Sequence, residues 1–235
     1  MKLENYELHL PSYSVGKEVY NQIGKICKPY GTKVLVIGGK KALSAAFDKI
    51  SKNAADGGLD IIGKEIYGTD CTYEAVERLA ALTSFQEADM VFAVGGGKSI
   101  DTCKCLCIEC EKPVFTFPTI ASNCAACTSV SIMYHEDGTF FKPHFFTHPA
   151  AHAFIDTQII AAAPYRYLWA GIGDTYAKNY EAEISSRGEK LPHYTKVGVG
   201  FSKICLTPML EYGRQALEDN KKGVATEALE QVALA

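Results

Sequence analysis

The chain has 235 residues, 47% hydrophobic and 22% charged, and 24 Lys plus Arg against 27 Asp plus Glu leave a formal charge of −3. That composition excludes disordered, collagen-like and fibrous classes, and the length allows one or two domains with a sizeable core. No apolar run reaches the roughly 18 residues of a membrane helix. No basic run suits nucleic acid or an anionic membrane, and the opening MKLENYELHLPSY lacks a secretory pattern. The expectation is a cytoplasmic enzyme type with neither nucleic-acid nor membrane partners.

In chain order, KVLVI at 33–37 is an apolar, β-branched strand ending in Gly38 and Gly39, and Ala42, Leu43, Ala46, Phe47 and Ile50 follow at helical spacing. Asp60–Tyr67 reads as the next strand, and a helix from an N-capping Thr72 to about Phe85 follows. MVFAV at 90–94 runs into Gly95, Gly96 and Gly97, then a helix, then VFTF at 114–117. Strands alternating with helices over short connections predict a doubly wound parallel α/β sheet. SVSIMY, HEDG and TFFKPHFF predict a β-hairpin turning at Asp137-Gly138, and Ala153–Asp156 is a last strand. From Tyr165 onward only helices are expected, over about 164–186, 195–220 and from 226, with the connection near 160–164. TEALEQVALA at 226–235 has no closing cap, which suggests a domain cut short.

Nine cysteines, at 27, 71, 103, 105, 107, 110, 124, 127 and 205, are an odd count that argues against a disulfide framework. On a helix Cys103, Cys107 and Cys110 share a face while Cys105 points elsewhere, which favours packing over a metal cluster. Cys124 and Cys127 form a lone CxxC, a weak signal for metal or redox chemistry.

The strongest motif is GGGKSID, Gly95 to Asp101, between a strand and a helix. Gly95, Gly96 and Gly97 let the backbone approach a ligand, the helix start offers unpaired N–H groups to a pyrophosphate, Lys98 adds charge, and Ser99 is a candidate cap. The spacing is neither GxGxxG nor Walker A, and the plain alternative is a tight βα turn. Gly38-Gly39 and the hydroxyls of PTIAS at 118–122 fall after neighbouring strands, so three loops converge on one crevice at the carboxyl ends of the strands.

GGGKSID, PTIAS, FIDTQIIAAAP at 154–164 and GIGD at 171–174 follow one another in this order. With them the chain resembles the glycerol-dehydrogenase-like branch of the metal-dependent, iron-containing alcohol dehydrogenases over its whole length. The resemblance implies an N-terminal Rossmann-like α/β nucleotide-binding domain, residues 1–162. A helical metal- and substrate-binding domain, residues 163–235, would follow, here incomplete, with the active site in the cleft between them. It implies transfer of hydride between NAD or NADP and a small alcohol, polyol or hydroxy acid, one Zn2+ or Fe2+, and a homo-oligomer. By position it makes Gly97 and Lys98 cofactor-binding, lines the cofactor with Thr119, Ser122, Thr128, Val130 and Tyr134, and makes Asp174 a metal ligand. Without it, Asp174 reads as a helix N-cap after Gly173.

The chain departs from that pattern in three places. Gly39 stands where the family has an Asp for the adenosine ribose, and beside Lys40 and Lys41 it admits NADP. Cys124 stands at the family's polyol-contacting Asp, which puts glycerol in doubt and leaves other small hydroxy or carbonyl compounds equally open. The family's two metal-binding His residues fall beyond the last residue. Of the six His present, His144, His148 and His152 have i, i+4, i+8 spacing, but Pro143 and Pro149 break the helix this would need. His193 reads as a surface-loop residue. No side chain stands out as a general base. A nucleotide-binding remnant without catalysis, and a sugar-phosphate cyclase related to dehydroquinate synthase, are the alternatives.

Overall fold

The computed structural model describes residues 7–235. Its centre is a six-stranded parallel sheet in the order β1-β8-β5-β4-β2-β3, made of β1 (Tyr13–Gly16), β2 (Lys33–Gly38), β3 (Asp60–Ile66), β4 (Met90–Gly95), β5 (Val114–Pro118) and β8 (His152–Asp156). The crossovers carry α1 (Ile23–Cys27), α2 (Lys40–Asp56), α3 (Tyr73–Ala80), α4 (Thr83–Glu87) and α5 (Gly97–Glu109). Between β5 and β8 lies the antiparallel hairpin β6 (Val130–Tyr134) and β7 (Phe140–Phe145). Then come α6 (Thr157–Ala162), α7 (Tyr165–Ser185), α8 (His193–Lys221) and α9 (Glu227–Leu234).

Strand alternation distributes the core over both sheet faces. Val34 and Val36 of β2 face one way, with Phe92, Phe115, Phe117 and Phe154, against Ala46 and Ile50 of α2. Leu35 and Ile37 face the other way, with Val91 and Ala93, against Ile100, Cys103 and Leu106 of α5. Each such side chain, fully withdrawn from water, contributes roughly 1.5–3 kcal/mol before entropy is charged against it. On the first face Phe117 stacks on Phe154 with centroids 4.9 Å apart, and Tyr20 meets Phe117 edge-on at 5.3 Å. A separate core of Leu168, Met209, Ala216, Leu229 and Val232 joins the later helices and reaches Ile155 and Ile160.

Thr72 caps α3 as expected, accepting from the Ala75 N–H at 3.1 Å. The expected single helix to Phe85 is instead two, α3 and α4, with Ala81 and Leu82 between them. The hairpin turns at Asp137-Gly138: Gly138 has φ +83°, and the Asp137 carboxylate accepts from both the N–H and the hydroxyl of Thr139. β1, α1 and α6 were not expected. α6 occupies most of the segment read as a connection, because Asp156 caps it through the N–H groups of Gln158 and Ile159. Among the described residues no helix is long and apolar enough to cross a membrane.

Cys103 and Cys107 pack on the sheet-facing side as the spacing predicts, but Cys110, expected with them, lies at the C-cap of α5. Cys103, Cys105 and Cys107 are buried and Cys110 is exposed; Cys105, off the sheet-facing side, meets Cys71 and Met133 beneath the hairpin. The three spaced His residues diverge: His144 is on β7, His148 follows it in the chain's turn toward β8, and His152 opens β8. His193 corrects its reading as a loop residue, since it is the exposed first residue of α8 behind Pro192.

Candidate functional site

Parallel register sets the carboxyl ends of β2, β4 and β5 side by side: Gly38 pairs with Val94, and Gly95 with Pro118. The three loops that leave these ends enclose a crevice of about 1020 Å³. Gly39, Lys40 and Lys41 contribute from the first loop, Gly95 to Ser99 from the second, and Thr119, Ser122 and Asn123 from the third. Tyr67 and Gly68 after β3, Tyr134 at the end of β6, and Pro164 and Tyr167 at the α6–α7 junction complete the walls. A crevice at this edge of an open parallel sheet is where such folds bind ligands.

At its centre stands the N-terminus of α5. Its N-cap, Gly96, supplies no side-chain hydrogen bond, so the first-turn N–H groups and the positive end of the helix dipole remain available to an anion. The glycines are required locally as well. Gly95 has φ +149°, and a Cβ on it would lie 2.9 Å from the Cβ of Ser99. A Cβ on Gly96 would meet Ile120 at 2.5 Å, and one on Gly97 would meet the Asn123 amide at 2.7 Å. The 118–123 loop therefore lies directly against the glycine turn.

Ser99 is not the cap. It is buried, and its hydroxyl donates to the Val94 carbonyl at 3.0 Å, tying α5 to its own strand. Lys98 is half exposed, ion-paired with Asp70 and 5.4 Å from the Tyr134 ring centroid. The hydrogen bond to Asp70 holds its ammonium above the usual lysine range, so the charge is firmly present. Thr119 is buried, and its N–H donates to the Gly95 carbonyl at 3.0 Å.

Of the residues singled out by sequence, Gly39, Gly95, Gly96, Gly97, Lys98, Ser99, Thr119, Ser122 and Tyr134 all line this crevice. Thr128 and Val130 do not; their carbonyls are bound instead by Lys104 of α5, at 3.1 and 2.6 Å. Cys124 and Asp174 are also outside the lining. Asp174 lies in the middle of α7, which removes the N-cap reading, with Lys178 Nζ 3.7 Å away. Desolvation, then the Asp174 carboxylate, raise the Cys124 thiol above its ordinary value, so these two groups are within electrostatic reach of each other. Among the described residues no group of three or more His, Cys, Asp and Glu side chains could hold a metal ion. Asp174 alone is one donor, too few for a catalytic metal site, which needs about three protein ligands.

Sequence reasoning missed Asp70, Asn123 and Lys104. Asp70 and Asn123 enter the site through neighbours distant in the chain, Lys98 and Gly97, which the sequence does not announce. Asp101 and Lys104 stand three apart on α5, a spacing that pairs side chains on a helix, and that was the available clue.

Comparison with known proteins accords with this geometry. Residues 11–156 match the family model described as iron-containing alcohol dehydrogenase. The chain is 32% identical over 224 residues to a glycerol dehydrogenase of Escherichia coli, covering 94% of this chain and 61% of that protein. It is 36% identical over 176 residues to a glycerol dehydrogenase of Thermotoga maritima, covering 73% of this chain and 48% of that one. The crystal structure of glycerol dehydrogenase from Schizosaccharomyces pombe superposes with a TM-score of 0.83 at 26% identity, over 98% of this chain and 60% of that chain. The chain thus spans about half to three fifths of the length of these relatives. With a parallel-sheet crevice at the expected edge and a family match over most of its length, the chain belongs to the iron-containing alcohol dehydrogenase family.

Proposed function

We propose that the chain binds a nicotinamide dinucleotide in the crevice and serves the oxidation or reduction of a small alcohol, polyol, hydroxy acid or matching carbonyl compound. Residues up to 162 form the nucleotide-binding part, and residues 163–235 belong to the helical, substrate-side part. The observation that carries this reading is the convergence of three strand ends on the uncapped N-terminus of α5. There the N–H groups of the first turn bind the pyrophosphate, Lys98 adds its charge, and the closeness of the 118–123 loop excludes water from one side. Thr119 and Ser122 offer hydroxyls beside that loop, and Tyr134 an aromatic face. The nicotinamide, when bound, supplies or accepts the hydride.

Gly39 is the choice point between NAD and NADP. A Cβ there would find only the Tyr67 ring, at 3.5 Å, so the space that an acidic side chain would fill is open. Lys40 and Lys41 line the same end of the crevice and complement a 2′-phosphate. The proposal is therefore that NADP is accepted at least as well as NAD. Cys124, near Asp174, sits on the substrate side, and Asp174 is a candidate donor for a divalent metal. One carboxylate does not by itself hold such an ion against water.

Calorimetric titration of NAD and NADP into the protein tests the reading, with Gly97→Val as control. The valine displaces Asn123 and fills the approach to the α5 N-terminus, so binding should disappear while circular dichroism stays that of the parent. Equal affinities for parent and variant would overturn the placement of the cofactor. Gly39→Asp should shift preference toward NAD; an unchanged ratio would remove Gly39 from the specificity argument.

A further inference from the structure

Lys104 has no exposed surface, although it stands on α5 only about two turns beyond the glycine turn. Its ammonium donates to the carbonyls of Ala125, Thr128 and Val130 at 2.8, 3.1 and 2.6 Å. One oxygen of the Asp101 carboxylate lies 3.0 Å from the same ammonium. The other accepts the Ile132 N–H at 3.1 Å, and the Ser131 hydroxyl donates to the Asp101 carbonyl at 2.9 Å. One turn of α5 thus holds residues 125–132 at five points.

An ammonium has three protons, and three carbonyls with one carboxylate saturate it. A buried ammonium is costly unless it is so surrounded. An apolar residue at position 104 would pack α5 on its neighbours without that cost, but it would strand three carbonyls without a donor. What the amine adds is three holds on the 125–130 segment, beside the single one from the Thr116 hydroxyl of β5 to the Ala126 carbonyl at 3.0 Å. That segment joins two crevice walls: the loop leaving β5, with Ser122 and Asn123 at its start, and Tyr134 of the hairpin beyond its end.

We propose that Lys104 is a positioning residue for the cofactor, pinning residues 125–130 to α5 so that both walls are in place before the dinucleotide arrives. The inference rests on the cofactor reading above and extends it to a residue that touches no ligand. Preorganisation of this kind reduces the ordering cost of binding. Its loss raises the cofactor dissociation constant even where the fold survives.

Lys104→Met, Asp101→Asn and the double variant separate pinning from charge balance. Lys104→Met strands the Asp101 carboxylate, and adding Asp101→Asn removes that stranded charge. If Lys104 pins the loop, the double variant regains thermal stability relative to Lys104→Met. It still binds NAD or NADP roughly tenfold or more weakly than the parent, and the Ile132 and Cys127 amides exchange faster in both. Parental affinity in the double variant, or parental exchange in Lys104→Met, would mean that Lys104 only neutralises Asp101, and the proposal falls.

If the variants fail to fold, hydrogen exchange on the unaltered protein can still overturn the proposal, although Cys127 and Ile132 donate to the Cys124 carbonyl and the Asp101 carboxylate rather than to Lys104. Amides of Cys127 and Ile132 protected like those of β4 support pinning; amides exchanging as fast as the 135–139 turn overturn it. Failure of the parent to bind either dinucleotide would refute the cofactor reading separately, because the exchange comparison needs no ligand.

Discussion

The Lys98 ammonium, on the first turn of α5, is ion-paired with the Asp70 carboxylate from the segment between β3 and α3. The lysine that faces the crevice is therefore already partly neutralised, and a phosphate arriving there competes with Asp70 or shares its cation.

Replacing Asp70 with Asn should accordingly tighten dinucleotide binding. A half-exposed pair of this type is worth at most about 1 kcal/mol, so the gain is roughly two- to fivefold at low salt. It should shrink as ionic strength rises. Titrations at two salt concentrations check this. Weaker binding in the variant would show that Asp70 orients Lys98 rather than competing for it.

Gly171 of α7 and Gly213 of α8 respond in opposite directions to alanine. A Cβ on Gly171 would lie 2.1 Å from the Ala121 carbonyl oxygen and 3.2 Å from the Ser122 Cα, both backbone atoms that cannot rotate away. A Cβ on Gly213 meets only Ile172 side-chain carbons, at 3.8 Å. Alanine gains about 1 kcal/mol over glycine within a helix, while overpacking costs about 1–3 kcal/mol. Gly171→Ala should therefore lower the midpoint of urea unfolding and push the 118–123 loop out of the crevice. Gly213→Ala should raise the midpoint by the helix term. A stabilised Gly171→Ala protein would mean that the α7–loop contact is loose.

His152 makes stability fall on acidification. Its Nδ1 is 2.7 Å from the Ser12 hydroxyl and its Nε2 2.9 Å from the Ser14 hydroxyl, and burial lowers its pKa below the ordinary histidine value. The folded protein thus resists the proton that an unfolded chain takes up near pH 6.5. This contribution is complete above about pH 6.5 and declines below it, until the folded imidazole is itself protonated, with a slope of at most about 1.4 kcal/mol per pH unit. His152→Gln should flatten unfolding free energy against pH in that window. An unchanged slope would assign the acid sensitivity to other groups.

The parallel sheet and its crevice were legible because β2, β4 and β5 are short, fully apolar or nearly so, and each ends in Gly or Pro. The hairpin was legible from Asp137-Gly138. β1 was not, since Tyr13–Gly16 is an edge strand with no buried residue and its pairing with β8 is a contact across some 140 residues of chain. Ser99, and Asp174 when read without the family resemblance, suggest caps for one reason: both residue types satisfy a helix start, but the starts of α5 and α7 fall at Gly97 and Tyr165. Lys104 was overlooked because a lysine on a helix is ordinarily solvated, and its spacing from Asp101 was the one clue. Only the fold shows that its side chain runs inward to the 125–130 carbonyls.

The place of β8 between β1 and β5 also sets an order of assembly during synthesis. β2, β3, β4 and β5 can pair as soon as residue 118 has left the ribosome, each finding its neighbour among strands already made. β1, which precedes these four in the chain, pairs among the described residues with β8, so it waits until residues 152–156 emerge. At about 5–20 residues per second that wait is on the order of ten seconds. In the last part of it, from the emergence of β5 until β8 follows, the β5 edge and the Phe115 and Phe117 rings lack the strand and the Phe154 ring that later cover them. The nascent chain thus presents an open, aromatic sheet edge, the form of the protein most exposed to mispairing with a second chain.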